Sequence, residues 1–153
     1  RDQTGKRFTL LSLRGRPIIV GMFYASCTDV CPLTINVAEQ TRRAASVPGH
    51  QQFSVLMISF DPAHDSVAKL ANIMHMHQLD SSHWRLARPE AGDVDTFAAT
   101  LGVAFRARKN GDFTHNAVLV LLDSNGRIVS RTSNAQTLDQ TFVDAIRRWS
   151  IYH

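Results

Sequence analysis

Two stretches of the chain are apolar on both of their faces: residues 16–25 (RPIIVGMFYA) and 53–60 (FSVLMISF). Short runs of this kind, rich in branched side chains and bounded by turn residues, predict strands buried on both sides by helices. Between them, residues 33–45 (LTINVAEQTRRAA) predict a helix. Pro32 sits in its first turn, where a missing N–H costs nothing, and VPGH at 47–50 ends it. After Asp61-Pro62 stops the second strand, residues 65–79 (DSVAKLANIMHMHQL) repeat with helical period. Asp65 or Ser66 is the predicted cap, and Val67, Leu70, Ile73, Met74 and His77 share one face.

The pattern then shortens. HWRLARP at 83–89 predicts a brief strand, and DVDTFAATLG at 93–102 a helix closed by Gly102. VAFRAR at 103–108 predicts an edge-like strand. NAVLVLLDSNGRIVSRT at 116–132 predicts a hairpin turning at 123–126. TLDQTFVDAIRRWSI at 137–151 predicts a last amphipathic helix with Leu138, Phe142, Ala145, Ile146 and Trp149 inward. Strand–helix repeats with right-handed crossovers, followed by a hairpin and a helix, predict a thioredoxin-like α/β fold. Its central mixed sheet is flanked by helices and ends in a C-terminal β-hairpin and helix. A flavodoxin-like sheet would not need the hairpin.

Composition adds bounds. The 153 residues, without repeat or linker, predict a single domain over 1–153, and 44% hydrophobic residues suffice for a core without disulfide staples. The net charge is +4, but the 17 Lys and Arg are scattered, so no nucleic acid is expected as a partner. No apolar stretch reaches the roughly 20 residues of a spanning helix. The first residue is Arg1 rather than Met, so a signal or N-terminal anchor is expected to be missing from this sequence. A monomer is expected.

The chain has two cysteines, Cys27 and Cys31, in YASCTDVCPLT at the first strand-to-helix junction. At this spacing both thiols can point to one spot, near enough for a disulfide or for two bonds to one metal ion. A helix N-terminus should also favour their thiolate forms. A structural staple is poorly served by so small a loop. A thioredoxin redox pair is C-x-x-C, one residue shorter. Thiolates are soft ligands that select Cu(I) or Zn(II), and a closed zinc site would want four ligands, which the sequence does not offer. Two thiolates and one imidazole suit Cu(I), and the imidazole allows Cu(II). Of the seven histidines, His115 in GDFTHNAVLVLLD stands out. It lies in a predicted loop just before an apolar strand, which a thioredoxin-like fold brings toward the cysteines.

GRPIIVGMFYASCTDVCP, ISFDPAHDS, SHWRLARP and the His-bearing segment before LLDSNGRIV, in this order from about Phe8 to Trp149, resemble the Sco/SenC family. The resemblance implies a thioredoxin-like fold and one copper ion per chain, Cu(I) or Cu(II), held by Cys27, Cys31 and His115. It implies a metallochaperone that assists assembly of the dinuclear copper centre of cytochrome c oxidase. A thiol–disulfide reductase using Cys27 and Cys31 as its redox pair is the alternative. Implied partners are the copper-site subunit of that oxidase or another copper or thiol protein. The implied location is the periplasmic side of the bacterial inner membrane, anchored there, or the mitochondrial intermembrane space. Two departures stand out: Thr28 follows the first cysteine where the family often has Pro, and Thr114 precedes the histidine where it often has Asp. Asp29 remains as a possible carboxylate support, and loss of the acid at 114 predicts a less well-oriented or less basic His115.

The other donors have plainer readings. MHMH (74–77) looks like copper bait, but on the helix Met74 belongs to the apolar stripe and His75 points elsewhere, so core and surface roles explain it. His64 reads as a loop side chain, and His50, His83 and His153 as exposed. Phe23 and Phe113 read as core. Hydrolase and nucleotide-binding motifs are absent. A peroxidase with Cys27 attacking and Cys31 resolving would leave His115 without a task.

Overall fold

The computed structural model describes residues 1–27, 30–50 and 52–153. The two apolar runs form β1 (Ile18–Phe23) and β2 (Ser54–Ser59), paired in parallel from Ile18↔Ser54 to Phe23↔Ser59. Every residue of β1 is buried, which explains its unbroken apolar pattern. Between them runs α1 (Val30–Ala45), and α2 (Val67–Met76) leads on to β3 (Trp84–Ala87), parallel to β2. Both crossovers step the same way across the sheet, so right-handed connections place α1 and α2 side by side on one face.

α3 (Val94–Leu101) contacts β1, and its Phe97 lines a cavity with Leu56 and Ile58, the residues of β2 that alternate with Val55 and Met57. The chain then forms β4 (Phe105–Ala107), β5 (Phe113–His115), β6 (Val120–Leu122), β7 (Ile128–Arg131) and α4 (Gln140–Tyr152). The main sheet has the order β3-β2-β1-β6-β7, with β6 antiparallel to β1 and α4 packed on α1. This is the thioredoxin-like arrangement expected from the pattern. No helix among the described residues is long and apolar enough to cross a membrane.

Two local expectations change, and one open choice is decided. Residues 103–108 do not form an edge of the main sheet. β4 pairs with β5 in a separate two-stranded ribbon, where Phe105 stacks on Phe60 with ring centroids 5.1 Å apart. Burying that ring against the site end of the molecule outweighs edge pairing. Leu138 lies before α4 and is exposed, and Val143 joins Phe142 and Ile146 in the core. Ser66, not Asp65, caps α2, accepting from the Lys69 amide at 3.2 Å, while Asp65 turns inward. Gly102 caps α3 in the left-handed region, as expected.

Helix and sheet are tied across the core by Glu39. Its carboxylate accepts from Trp84 Nε1 at 2.6 Å, from Arg42 Nε and Nη2 at 2.9 and 2.8 Å, and from Arg43 Nε at 2.6 Å. Partial burial pushes the Glu39 carboxyl up, but the Arg42, Trp84 and Arg43 donors win and hold it at about 2, well below the ordinary 4.5. A depressed folded value stabilises the fold above the unfolded value and loses that stability as pH falls through the folded one. Wild-type protein will therefore lose stability between pH 4.5 and about 2 more steeply than Glu39→Gln, as measured by urea unfolding at stepped pH.

Candidate metal centre

β1 ends at Phe23, and the chain turns through Tyr24–Cys27, with the Cys27 amide donating to the Tyr24 carbonyl at 3.2 Å. Cys31 lies in the first turn of α1, and its amide donates to Cys27 Sγ at 3.2 Å. Cys27 thus supplies an acceptor to one of the amides that a helix start leaves unpartnered. The turn is fixed from below by Asp65. Its Oδ2 accepts from the Ala25 amide at 3.0 Å and from Ser59 Oγ at 2.5 Å, in a fully buried position. Burial pushes the Asp65 carboxyl up, and the Ser59 and Ala25 donors oppose the shift.

His115 arrives from the far side. Because β6 runs antiparallel to β1, the segment that enters β6 approaches the end of the sheet where β1 finishes. His115 is the last residue of β5 rather than a loop residue, paired with Phe105, and its ring packs on Phe60 at 5.0 Å and Tyr24 at 6.0 Å. Nδ1 faces the Asn116 carbonyl at 2.9 Å, and a carbonyl only accepts, so Nδ1 carries the proton. The Nε2 lone pair is left pointing at Cys31 Sγ, 3.5 Å away. With no acid at 114, the Asn116 backbone carbonyl takes the contact that orients His115. Asn116 is itself clamped: its Oδ1 accepts from the Ala104 amide at 2.8 Å, and its Nδ2 donates to the Gly102 carbonyl at 3.1 Å.

Cys27 Sγ, Cys31 Sγ and a ring nitrogen of His115 all lie within 4.8 Å of one another, the only such cluster of three or more His, Cys, Asp or Glu among the described residues. Metal–sulfur and metal–nitrogen bonds of about 2.3 and 2.0 Å span nearly that distance, so small side-chain adjustments bring the three donors to one ion. Both cysteines are free. Cys27 is half-buried and Cys31 only 2% exposed. The expectation that the helix start makes both thiols acidic fails at Cys31. Burial, with Cys27 beside it, pushes that thiol up, because the low-dielectric surroundings disfavour a thiolate more than the helix start favours it. Burial likewise pushes the Tyr24 phenol up to about 12.

The remaining sequence candidates separate. His64 Nδ1 lies 2.9 Å from Asp61 Oδ1 with its side chain largely exposed. His50 and His153 are exposed, whereas His83 is half-buried. Phe23 is fully buried, as expected, and Phe113 is half-buried, edge-on to Tyr24 at 5.1 Å. Thr28 and Asp29 lie outside the described residues. The sequence reading gave no site role to Phe60, Tyr24 or Asn116. The first two read as strand-end core residues, and Asn116 acts through its backbone, which no residue type reveals.

The SCO1/SenC family model matches residues 1–150. The chain belongs to the SCO1/SenC family. A Stutzerimonas stutzeri protein named as copper-binding is 28% identical over 79 residues, which is 50% of this chain and 38% of that protein, so the match spans little more than a third of that relative's length. The structure of Bradyrhizobium japonicum ScoI with copper bound superposes at TM-score 0.73 and 25% identity, covering 97% of this chain and 94% of that one. BsSco, described as having a disulfide switch and as a member of the Sco family of cytochrome c oxidase assembly proteins, superposes at TM-score 0.78 and 16% identity. That match covers 100% of this chain and 91% of the other.

Differential exposure of the two sulfurs has a direct readout. A brief pulse of iodoacetamide at neutral pH will modify Cys27 before Cys31 in peptide mass mapping, and unfolding in urea will erase the difference.

Proposed function

We propose that this SCO1/SenC protein is a copper metallochaperone that binds one copper ion through Cys27, Cys31 and His115 and assists assembly of the dinuclear copper centre of cytochrome c oxidase. The observation that carries the reading is the convergence of two sulfurs and an imidazole nitrogen within 4.8 Å. That donor set is soft enough for Cu(I) and, through the imidazole, compatible with Cu(II). The copper-bound ScoI relative and the oxidase-assembly role stated for BsSco support it.

Copper is the cargo. Both sulfurs bind as thiolates, so loading releases the thiol protons. A partner thiolate or imidazole then enters the three-coordinate site, and each bond to the chaperone breaks as one to the partner forms. On this reading the domain works outside the bacterial inner membrane or in the mitochondrial intermembrane space, tethered through its N-terminal side. Its partner is the copper-site subunit of the oxidase or another copper or thiol protein.

The second reading uses the same sulfurs without metal. Two free thiols within 4.8 Å can reduce a partner disulfide: one thiolate attacks, a mixed disulfide forms, and the second displaces the partner's thiolate, leaving Cys27–Cys31 oxidised. The switch described for BsSco favours keeping it.

One equivalent of copper added to reduced protein separates the two. The chaperone reading expects stoichiometric uptake that is lost in Cys27→Ser and Cys31→Ser, with a thiolate-to-copper charge-transfer band for Cu(II). His115→Ala should weaken Cu(II) more than Cu(I). No uptake, together with rapid exchange on a partner disulfide, would leave only the reductase.

A further inference from the structure

The MHMH motif is not absorbed by the site described above. α2 ends at Met76, with His77 as its C-cap, and the Met76 and His77 side chains line the same cavity of about 260 Å³ as Cys27 and Cys31. The chain has four methionines. Met22, Met57 and Met74 are buried, whereas Met76 is 67% exposed. Its thioether is not loose: Asn72 Nδ2 donates to Met76 Sδ at 3.3 Å from one turn earlier, and Asn72 lines the same cavity. His77 is held by its amide bond to the Ile73 carbonyl at 3.0 Å. Behind it, Gln78 turns the chain at φ 51, in the left-handed region, with the Leu79 amide closing on the Met74 carbonyl at 2.9 Å.

We infer that Met76 Sδ and the His77 imidazole form a second, weaker soft-metal site on the α2 wall of the cavity, where a Cu(I) ion docks before moving to Cys27 and Cys31. Three features of the molecule converge on it. A thioether and an imidazole are ligands that select Cu(I) over hard ions. They stand at the C-terminal end of α2, the end at which the helix macrodipole favours a cation. They also line one cavity with the two cysteines, which gives the ion a short path between the sites. Lys69, on the same cavity, opposes a lone cation. It suits the loaded cysteine site, where two thiolates and one Cu(I) sum to a negative charge. The asymmetry makes the α2 site one of passage. In the transfer the oxidation state stays Cu(I): the bonds to Met76 and His77 break as those to Cys27 and Cys31 form, and the thiol protons pass to water. The relay role rests on the copper-handling function proposed above, whereas the Met76–His77 site itself does not.

The test titrates reduced, oxygen-free protein with Cu(I) against a chromophoric Cu(I) chelator and follows the methionine methyl resonances on adding Ag(I), a redox-inert stand-in. Wild-type protein should take a second equivalent about tenfold or more weaker than the first, since two donors replace three. Met76→Leu/His77→Gln should lose that equivalent, keep the first, and load it several-fold more slowly. Cys27→Ser/Cys31→Ser should keep the weak equivalent, and in it Ag(I) should shift the Met76 methyl and leave those of Met22, Met57 and Met74 in place. Equal stoichiometry in wild type and Met76→Leu/His77→Gln, with the Met76 methyl unmoved by Ag(I), would overturn the inference and leave the cysteine site standing. A shifted Met76 methyl in a protein whose cysteines take no copper would instead uphold the α2 site and remove the chaperone reading.

Discussion

The antiparallel placement of β6 against β1 is the constraint on which the site depends. The cysteines sit where β1 ends, and His115 lies 84 residues from Cys31 along the chain. Were β6 parallel to β1, the segment entering it would lie at the opposite end of the sheet, and no loop adjustment would bring an imidazole to the sulfurs. With β6 reversed, its approach and the exit of β1 share one end. The parallel partner β2 finishes there too, so Asp65 can reach back from the turn after it to hold the Ala25 amide. Three chain segments meet at this end for reasons of strand direction alone.

What the convergence creates is a pair of sulfurs in unequal surroundings. Cys31 is buried next to Cys27 and lines one cavity with Tyr24, and there a thiolate is disfavoured until a cation arrives to neutralise it. An ion that bonds weakly to sulfur cannot offset the cost of removing that proton, and a strongly thiophilic one can. On the proposed copper-binding reading, burial of Cys31 is a selectivity device as well as a packing outcome. Cys27, half-buried, is the sulfur that an arriving ion or partner thiol meets first.

The sequence made the main architecture legible because its strongest signals are local. Two-sided apolar runs, a proline in a first helical turn, a serine cap and a glycine after α3 each act within a few residues, and each is found where expected. The ribbon of β4 and β5 was not legible as a ribbon. Its placement is decided by where Phe105 and Phe113 find partners, and those partners, Phe60 and Tyr24, are distant in sequence. The same limit applies to Cys31: a helix start is visible in sequence, whereas depth of burial depends on what the other segments place above it. The motif residues Cys27, Cys31 and His115 were legible as candidates. That Asn116 orients the imidazole through its carbonyl was not.

That last detail bears on what kind of metal site the proposed one would be. A carboxylate behind a ligating histidine fixes the ring and also lends it negative charge, which strengthens its hold on a cation. Here Thr114 stands before the histidine, and Nδ1 donates to a neutral carbonyl, so the ring is fixed in the ligating tautomer without the added charge. Orientation and basicity, usually supplied together, are separated. On the proposed reading this separation matters, because a resident cofactor site gains from the tightest hold whereas a carrier must present its donors ready-formed and still release the ion. A neutral orienter on the one nitrogen donor, beside a sulfur that regains its proton readily once the ion leaves, gives preorganisation on loading and a low barrier to ligand exchange on release.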